Sequence, residues 1–230
     1  MRVTSMSEKV FTRAEMQQAP TRLLRDGRAA NACVSCVTIN GQEWTVKDFS
    51  SRNFWVKTFL APFLLGHELK ILRQLKGIDG VAHESFAIDS TAIAIRFLPG
   101  RSLGRLKPEE ISSEFLEEME ALLESVHTRG VVHLDTRGTG NWLVSPEGKP
   151  LLIDFQASLL TGWMPASWRH IVELVDMSGV YKKWLEWHPE TMTAARRARF
   201  EEAQYWRQKW KLQGYFGMKK KPGDNKFGEH

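Results

Sequence analysis

The chain has 230 residues, 42% of them hydrophobic and 26% charged, which predicts a packed core in one large domain or two small lobes sharing a cleft. Two cysteines, Cys33 and Cys36, are too few for a disulfide framework and suit a reducing cytoplasm. The net charge of +5 is modest, and no apolar run is long enough to span a bilayer: the best, Phe54 to Leu65, is broken by Lys57 and Pro62.

Met1 to Met16 has no apolar stretch after Arg2, so residues 1–20 are expected to be an N-terminal extension and not a secretory signal. From Leu23 to Phe49 the pattern alternates and turns like a strand pair: Thr21 to Leu24, then Gly27 to Ala32, then Cys33 to Thr38. Asn40-Gly41 then signals a hairpin into Glu43 to Phe49. Cys33 and Cys36 fall inside this alternation. Their spacing invites a zinc or redox reading, but no second Cys or His pair follows, so they are expected to be core or cleft-facing thiols. Leu64, Leu65, Ile71, Leu72 and Leu75 recur at helical spacing up to Gly77, and Val81 to Phe97 gives two more strands closed by Pro99-Gly100.

The second half reads differently. Pro108 to His127 is a helix with Ile111, Phe115, Met119, Leu122, Leu123 and Val126 on one face. Short apolar strands follow at Val131-Val132, Trp142 to Val144 and Leu151 to Ile153, and the pattern is helical from Pro165 to about Tyr215. The expectation is an α+β fold with a β-rich unit over 21–98 and a mainly helical one over 99–216. A basic flexible tail would cover 217–230. Arg196, Arg197, Arg199, Arg207, Lys209, Lys211 and Lys219 to Lys221 crowd this end, facing only Glu201 and Glu202. Such a stretch attracts phosphate-rich partners or an anionic membrane surface, or is a solvated helix face and tail; no specific nucleic acid is predicted.

Three polar residues end or adjoin apolar strands: Asp135, Asn141 and Asp154. Strand-end side chains converge in clefts, where oxygen donors hold Mg²⁺ and a carboxylate accepts a proton. Asn141 and Asp154 make a reasonable magnesium pair, and Asp135, followed by Arg137, suits a base beside developing phosphoryl charge.

In His133-Leu134-Asp135, Asn141 and Asp154-Phe155-Gln156 the chain resembles the protein-kinase superfamily, over most of residues 21 to 160. The resemblance implies a two-lobed kinase-like fold using ATP and Mg²⁺, with Asp135 as catalytic base, Asn141 and Asp154 as metal ligands and Arg137 near the transferred phosphoryl. It further implies that Lys47, in Thr45-Val46-Lys47, pairs with Glu68 and the α/β-phosphates. Phe97 and Leu98 would lie beneath the adenine. Gly27, Ala29, Ala32 and Val34 keep the spacing of the glycine-rich phosphate loop.

Asn141 follows Asp135 by six residues, one more than usual. His133-Leu-Asp135-Thr-Arg137-Gly-Thr-Gly-Asn141 is similar to small bacterial kinase-like proteins allied to lipopolysaccharide-core (Kdo) kinases and RIO-type kinases. Ala29 and Ala32 replace glycines, Leu134 replaces the arginine that grips an activation-loop phosphate, and Gln156 replaces the last glycine of the metal-binding turn. No Ala-Pro-Glu follows Ala157, so the peptide platform is missing or rebuilt; Trp163, Trp168, Trp184 and Trp187 stand there instead, as core, lid or membrane contact. Asp176 either supports the catalytic loop from a helix or lies on that helix's surface.

The expected activity is transfer of the γ-phosphate of ATP to a hydroxyl. The acceptor would be lipid-linked or a saccharide, in the cytoplasm or peripheral at the inner membrane face. The alternatives are a minimal Ser/Thr protein kinase with a protein substrate and a nucleotide-binding pseudokinase scaffold.

Overall fold

The computed structural model describes residues 10–27 and 31–210. Its first half runs α1 (Arg13–Gln18), β1 (Thr21–Arg25), β2 (Cys33–Ile39), β3 (Gln42–Asp48), α2 (Ala61–Gln74), β4 (Ser85–Asp89) and β5 (Ala92–Arg96). The strands form one antiparallel sheet in the order β1-β2-β3-β5-β4. Asn40 and Gly41 both take positive φ, 52° and 72°, the left-handed pair that a two-residue hairpin needs, and Ile39 faces Gln42 across it. Cys33 and Cys36 are free thiols on β2; burial pushes Cys36 up.

Alternation along β3 gives the sheet two different faces. Trp44 and Val46 join Phe11, Val37, Phe86 and Ile88 in a cluster on one side, where the three aromatic rings meet edge-on. Residues 11–19 close this side: α1 opens with a Thr12–Glu15 capping box, and Arg13 bonds to Asp48, Asp89 and Thr91. Ile93 and Ile95 belong to the other cluster, with α2.

The helix before Gly77 starts earlier than its apolar spacing suggests. Residues Val56–Leu60 form a π-helical turn, closed by the Ala61 N–H on the Val56 carbonyl, and run directly into α2. Pro62 cannot donate a helical hydrogen bond, and the wider turn just ahead of it accommodates that loss. Ala61, Leu65, Glu68, Leu69, Ile71 and Leu72 then line the buried stripe of α2.

Phe97 to Gly100 connects β5 to the second half, which holds β6 (Arg101–Ser102), α3 (Ser113–Thr128), β7 (Val131–Val132), β8 (Trp142–Val144), β9 (Pro150–Leu152), β10 (Leu159–Leu160), α4 (Ala166–Trp187) and α5 (Ala194–Trp210). β6, β8 and β9 form a small sheet, and β7 pairs with β10. The expected helix from Pro108 begins at Ser113 instead, because Ser112 caps it through the Phe115 N–H; Pro108–Glu110 is a 3-10 turn. The expected long C-terminal helix is two, since Pro189 prevents α4 from continuing past His188. The stretch 211–215 and the basic tail lie outside the described residues.

The fold is thus mixed α+β. Met177, Val180, Tyr181 and Trp184 of α4 share a core with α3, α2 and the sheet, so one continuous apolar cluster underlies both halves. Among the described residues no helix is long and apolar enough to cross a membrane.

Candidate functional site

Lys47 lies on the α2 side of β3, opposite Val34 on β2 and Ile93 on β5. It is only 5% exposed, and its Nζ lies 2.7 and 2.9 Å from the two oxygens of Glu68 on α2. The same Nζ donates to Asp154 Oδ1 at 2.6 Å. Burial by itself would lower the Lys47 pKa, but two carboxylates outweigh it and hold the ammonium above its ordinary value. Asp154 is drawn down to about 2, chiefly by the charge of Lys47. Burial pushes the Glu68 carboxyl up against the pull of Lys47. Arg25 stands 3.8 Å from the second oxygen of Asp154.

A second group lies on the 133–141 loop. Asn141 Nδ2 donates to Asp135 Oδ2 at 2.8 Å and to the Asp135 carbonyl at 3.2 Å. The loop and Asp154 are tied together through Ile153: its N–H donates to the Asn141 carbonyl, and its carbonyl meets His133 Nε2 at 3.0 Å. The Asp135 N–H donates to His133 Nδ1, which puts the imidazole proton on Nε2, directed at Ile153. The His133 ring packs edge-on against Phe155, 4.8 Å between centroids.

Two backbone outliers mark this region. Leu134 (φ 64°) and Asp154 (φ 66°) are left-handed without being glycine, a conformation costing roughly 1–3 kcal/mol each that surrounding structure must hold. For Leu134 the holder is Asp176 of α4, fully buried, which accepts the N–H groups of His133 (2.7 Å) and Leu134 (2.9 Å) and the Thr136 hydroxyl. His127 Nε2 meets the same carboxylate at 3.0 Å. Although burial opposes it, these bonds keep the Asp176 pKa below the usual carboxylate range.

One turn on, a Cβ at Gly179 would fall 2.2 Å from Thr136 Oγ1 and 2.6 Å from its carbonyl carbon, so only glycine lets the loop press this closely on α4. A further turn on, Lys183 donates to the carbonyls of Thr136, Arg137 and Gly179. Burial draws its pKa down to about 7.

The structure therefore brings Lys47, Glu68 and Asp154 into contact, and separately Asp135 and Asn141, with Ile153 bridging the two groups. Arg137 contributes to neither set of contacts: its guanidinium is half-buried, 3.4 Å from Ser178 on α4, with Arg207 and Glu186 as charged neighbours. Val34 is buried beside Lys47, and Ala32 joins the main core. Gly27 packs against the Asn31–Ala32 backbone so tightly that a Cβ would sit 2.0 Å from the Ala32 carbonyl oxygen. Ala29 lies outside the described residues. Phe97 and Leu98 are half-buried on the link between the halves; the Phe97 N–H bonds to the Glu43 carbonyl, and Leu98 packs on the main core.

Sequence reasoning left Asp176 undecided between loop support and helix surface; it supports the loop. It missed Lys183, Arg25 and His67, whose Nε2 lies 2.7 Å from the Ser158 carbonyl. For Lys183 a signal existed, since Asp176, Gly179 and Lys183 fall at i, i+3 and i+7, on one face of the helix. Arg25 and His67 had none, because their partners lie 129 and 91 positions away (154 − 25 and 158 − 67).

Asp154 and Asn141 offer hard oxygen donors, and the Asp154 side chain is partly exposed. Among the described residues no three or more His, Cys, Asp or Glu gather into a cation cage. Mg²⁺ held by one carboxylate, one amide oxygen and phosphate oxygens needs no such cage, so the residues fit that ion. No protein-family model matches the chain, and no curated protein matches its sequence.

Proposed function

We propose that the protein is an ATP- and Mg²⁺-dependent phosphotransferase of the two-lobed protein-kinase-like kind, moving the γ-phosphate of ATP to a hydroxyl. The observation that carries this reading is the Lys47 ammonium, buried between Glu68 and Asp154 and linked through Ile153 to the Asp135–Asn141 pair. Glu68 fixes the Lys47 ammonium through two of its three N–H groups, and the third, now on Asp154, would turn to a phosphate oxygen once Asp154 holds Mg²⁺. Phe97 to Gly100, between sheet and helices, suits the adenine-facing link, and Gly27 the start of the phosphate loop.

Asn141 and Asp154 are the residues that would hold Mg²⁺, which when bound neutralises phosphate charge. Asp135 takes the proton of the acceptor hydroxyl as its oxygen bonds to the γ-phosphorus and the bridging oxygen leaves with ADP. Asn141 fixes the Asp135 carboxylate through Oδ2, and Asp176 and Lys183 fix the backbone beneath it. Arg137, lying against Ser178, would have to turn to reach a phosphoryl group; without such a turn it serves the loop's packing on α4.

A small or lipid-linked acceptor is favoured over a peptide by one feature. Only Thr161 to Pro165 separate β10 from α4, which leaves no room for a peptide-binding segment between them. The test is incubation with γ-labelled ATP, Mg²⁺ and a lysate separated into lipid, saccharide and protein fractions. Label in the lipid or saccharide fraction is expected; label in protein alone would overturn the acceptor reading, and no transfer to any fraction would favour a nucleotide-binding scaffold.

A further inference from the structure

The helical stretch that carries Glu68 on its inner side presents a different chemistry outward. Phe54, Trp55, Phe59, Leu60 and Phe63 are 37 to 71% exposed. Trp55, Phe59 and Phe63 follow one another at four-residue steps along one face, Trp55 stacking on Phe59 at 5.5 Å and Phe63 on His67 at 6.5 Å. Large apolar side chains gathered this way are unusual on a free protein surface.

Along the stretch itself the charge has one sign, although Arg52 at its start is paired with the exposed Asp26. Between Phe49 and Ile78 the basic residues are Arg52, Lys57, Lys70, Arg73 and Lys76, and the sole acidic residue is Glu68. Glu68 is buried on Lys47, so this stretch shows no carboxylate to solvent. Exposed Trp and Phe edged by lysine, on a helix whose other side is anchored, is the composition of a segment lying in the headgroup region of a bilayer. A second copy of the chain fits less well, because a two-fold contact would set these cations against themselves.

We infer that the face formed by Phe54, Trp55, Phe59, Leu60 and Phe63, edged by Lys57 and Lys70, is a docking surface for an anionic lipid bilayer. The helix would lie in the membrane plane, its aromatic rings at the boundary of headgroups and acyl chains. Glu68 and Lys47 sit on its far side, so docking holds the site about one helix diameter (~10–12 Å) from the lipid surface. This inference is independent of the proposed chemistry, since binding is measured without nucleotide. It also places the membrane contact on residues other than the basic C-terminal stretch.

The test is cosedimentation of the full-length protein with vesicles of phosphatidylcholine alone or mixed with phosphatidylglycerol. Three proteins are compared: wild type, Trp55→Ser/Phe59→Ser/Phe63→Ser, and Lys219→Glu/Lys220→Glu/Lys221→Glu. Wild type should prefer the anionic vesicles, the aromatic variant should lose at least about tenfold in affinity, and the tail variant should keep most of it. Lys57→Glu, which leaves the aromatic rings in place, should weaken binding severalfold and serves if the aromatic variant misfolds. The inference is overturned if the tail variant loses binding while the aromatic one retains it. It is equally overturned if wild type sediments with neither vesicle, the result expected of a protein-docking face. A wild-type dimer made monomeric by the aromatic changes, with lipid binding unaltered, would assign the face to self-association.

Discussion

Replacing Lys47 by Met would strip Glu68 and Asp154 of their common ammonium, and Glu68 is only 1% exposed. Breaking a buried ion pair by removing one partner costs about 3–5 kcal/mol. Lys47→Met should therefore be strongly destabilised in urea unfolding, and adding Glu68→Gln should recover part of the loss. A double-mutant cycle that gave simple additivity would contradict the pairing. Asp154 makes a separate prediction about acid. Its folded pKa of about 2 lies below the ordinary 3.8, so its ionised form stabilises the fold above 3.8 and that contribution fades as pH falls toward 2. The stability gap between wild type and Asp154→Asn should narrow over this window; a gap independent of pH would deny the Lys47–Asp154 contact. Single residues were also where the sequence was most and least informative. Asp135, Asn141 and Asp154 stood out because each ends or adjoins an apolar strand, whereas the Lys47–Glu68 contact was legible only through the kinase-like resemblance. The orientation of Arg137 was not legible, because a long side chain's direction depends on what packs beside it, here Ser178.

At the scale of elements, α2 and α4 position the site, and a glycine in each makes opposite predictions. Gly66 on α2 faces open space, so Gly66→Ala should stabilise the helix by up to about 1 kcal/mol. Gly179 on α4 abuts the Thr136 backbone, so Gly179→Ala must push the loop or the helix aside and should destabilise by about 1–3 kcal/mol. Thermal melts of the two variants should move in opposite directions; equal shifts would mean that the loop does not rest on α4. The hairpin at Asn40-Gly41 was readable because two residues fully specify it. The early start of α2 was hidden by Lys57 and Pro62, which look like interruptions until a π-helical turn absorbs the proline. The split between α4 and α5 was announced by His188-Pro189, but helix-forming residues continue on both sides of it and masked the break.

For the whole molecule, a β-rich first half and a helical second half followed from the change of period at Pro99-Gly100. The strand order and the packing of residues 11–19 on the sheet did not, because they rest on contacts distant in sequence, such as Phe11 with Phe86 and Arg13 with Asp89. The continuous core beneath both halves explains why a site assembled from β3, α2 and the 133–154 region can hold its geometry. The central claim is that Lys47 and Asp154 hold the nucleotide while Asp135 acts on the acceptor. It is tested most directly by measuring Mg·ATP affinity and phosphoryl transfer together in Asp135→Ala and Asp154→Ala. Asp135→Ala should bind Mg·ATP within about threefold of wild type and transfer at least about a hundredfold more slowly, whereas Asp154→Ala should lose both. Unchanged transfer in Asp135→Ala, or unchanged Mg·ATP affinity in Asp154→Ala, would contradict it.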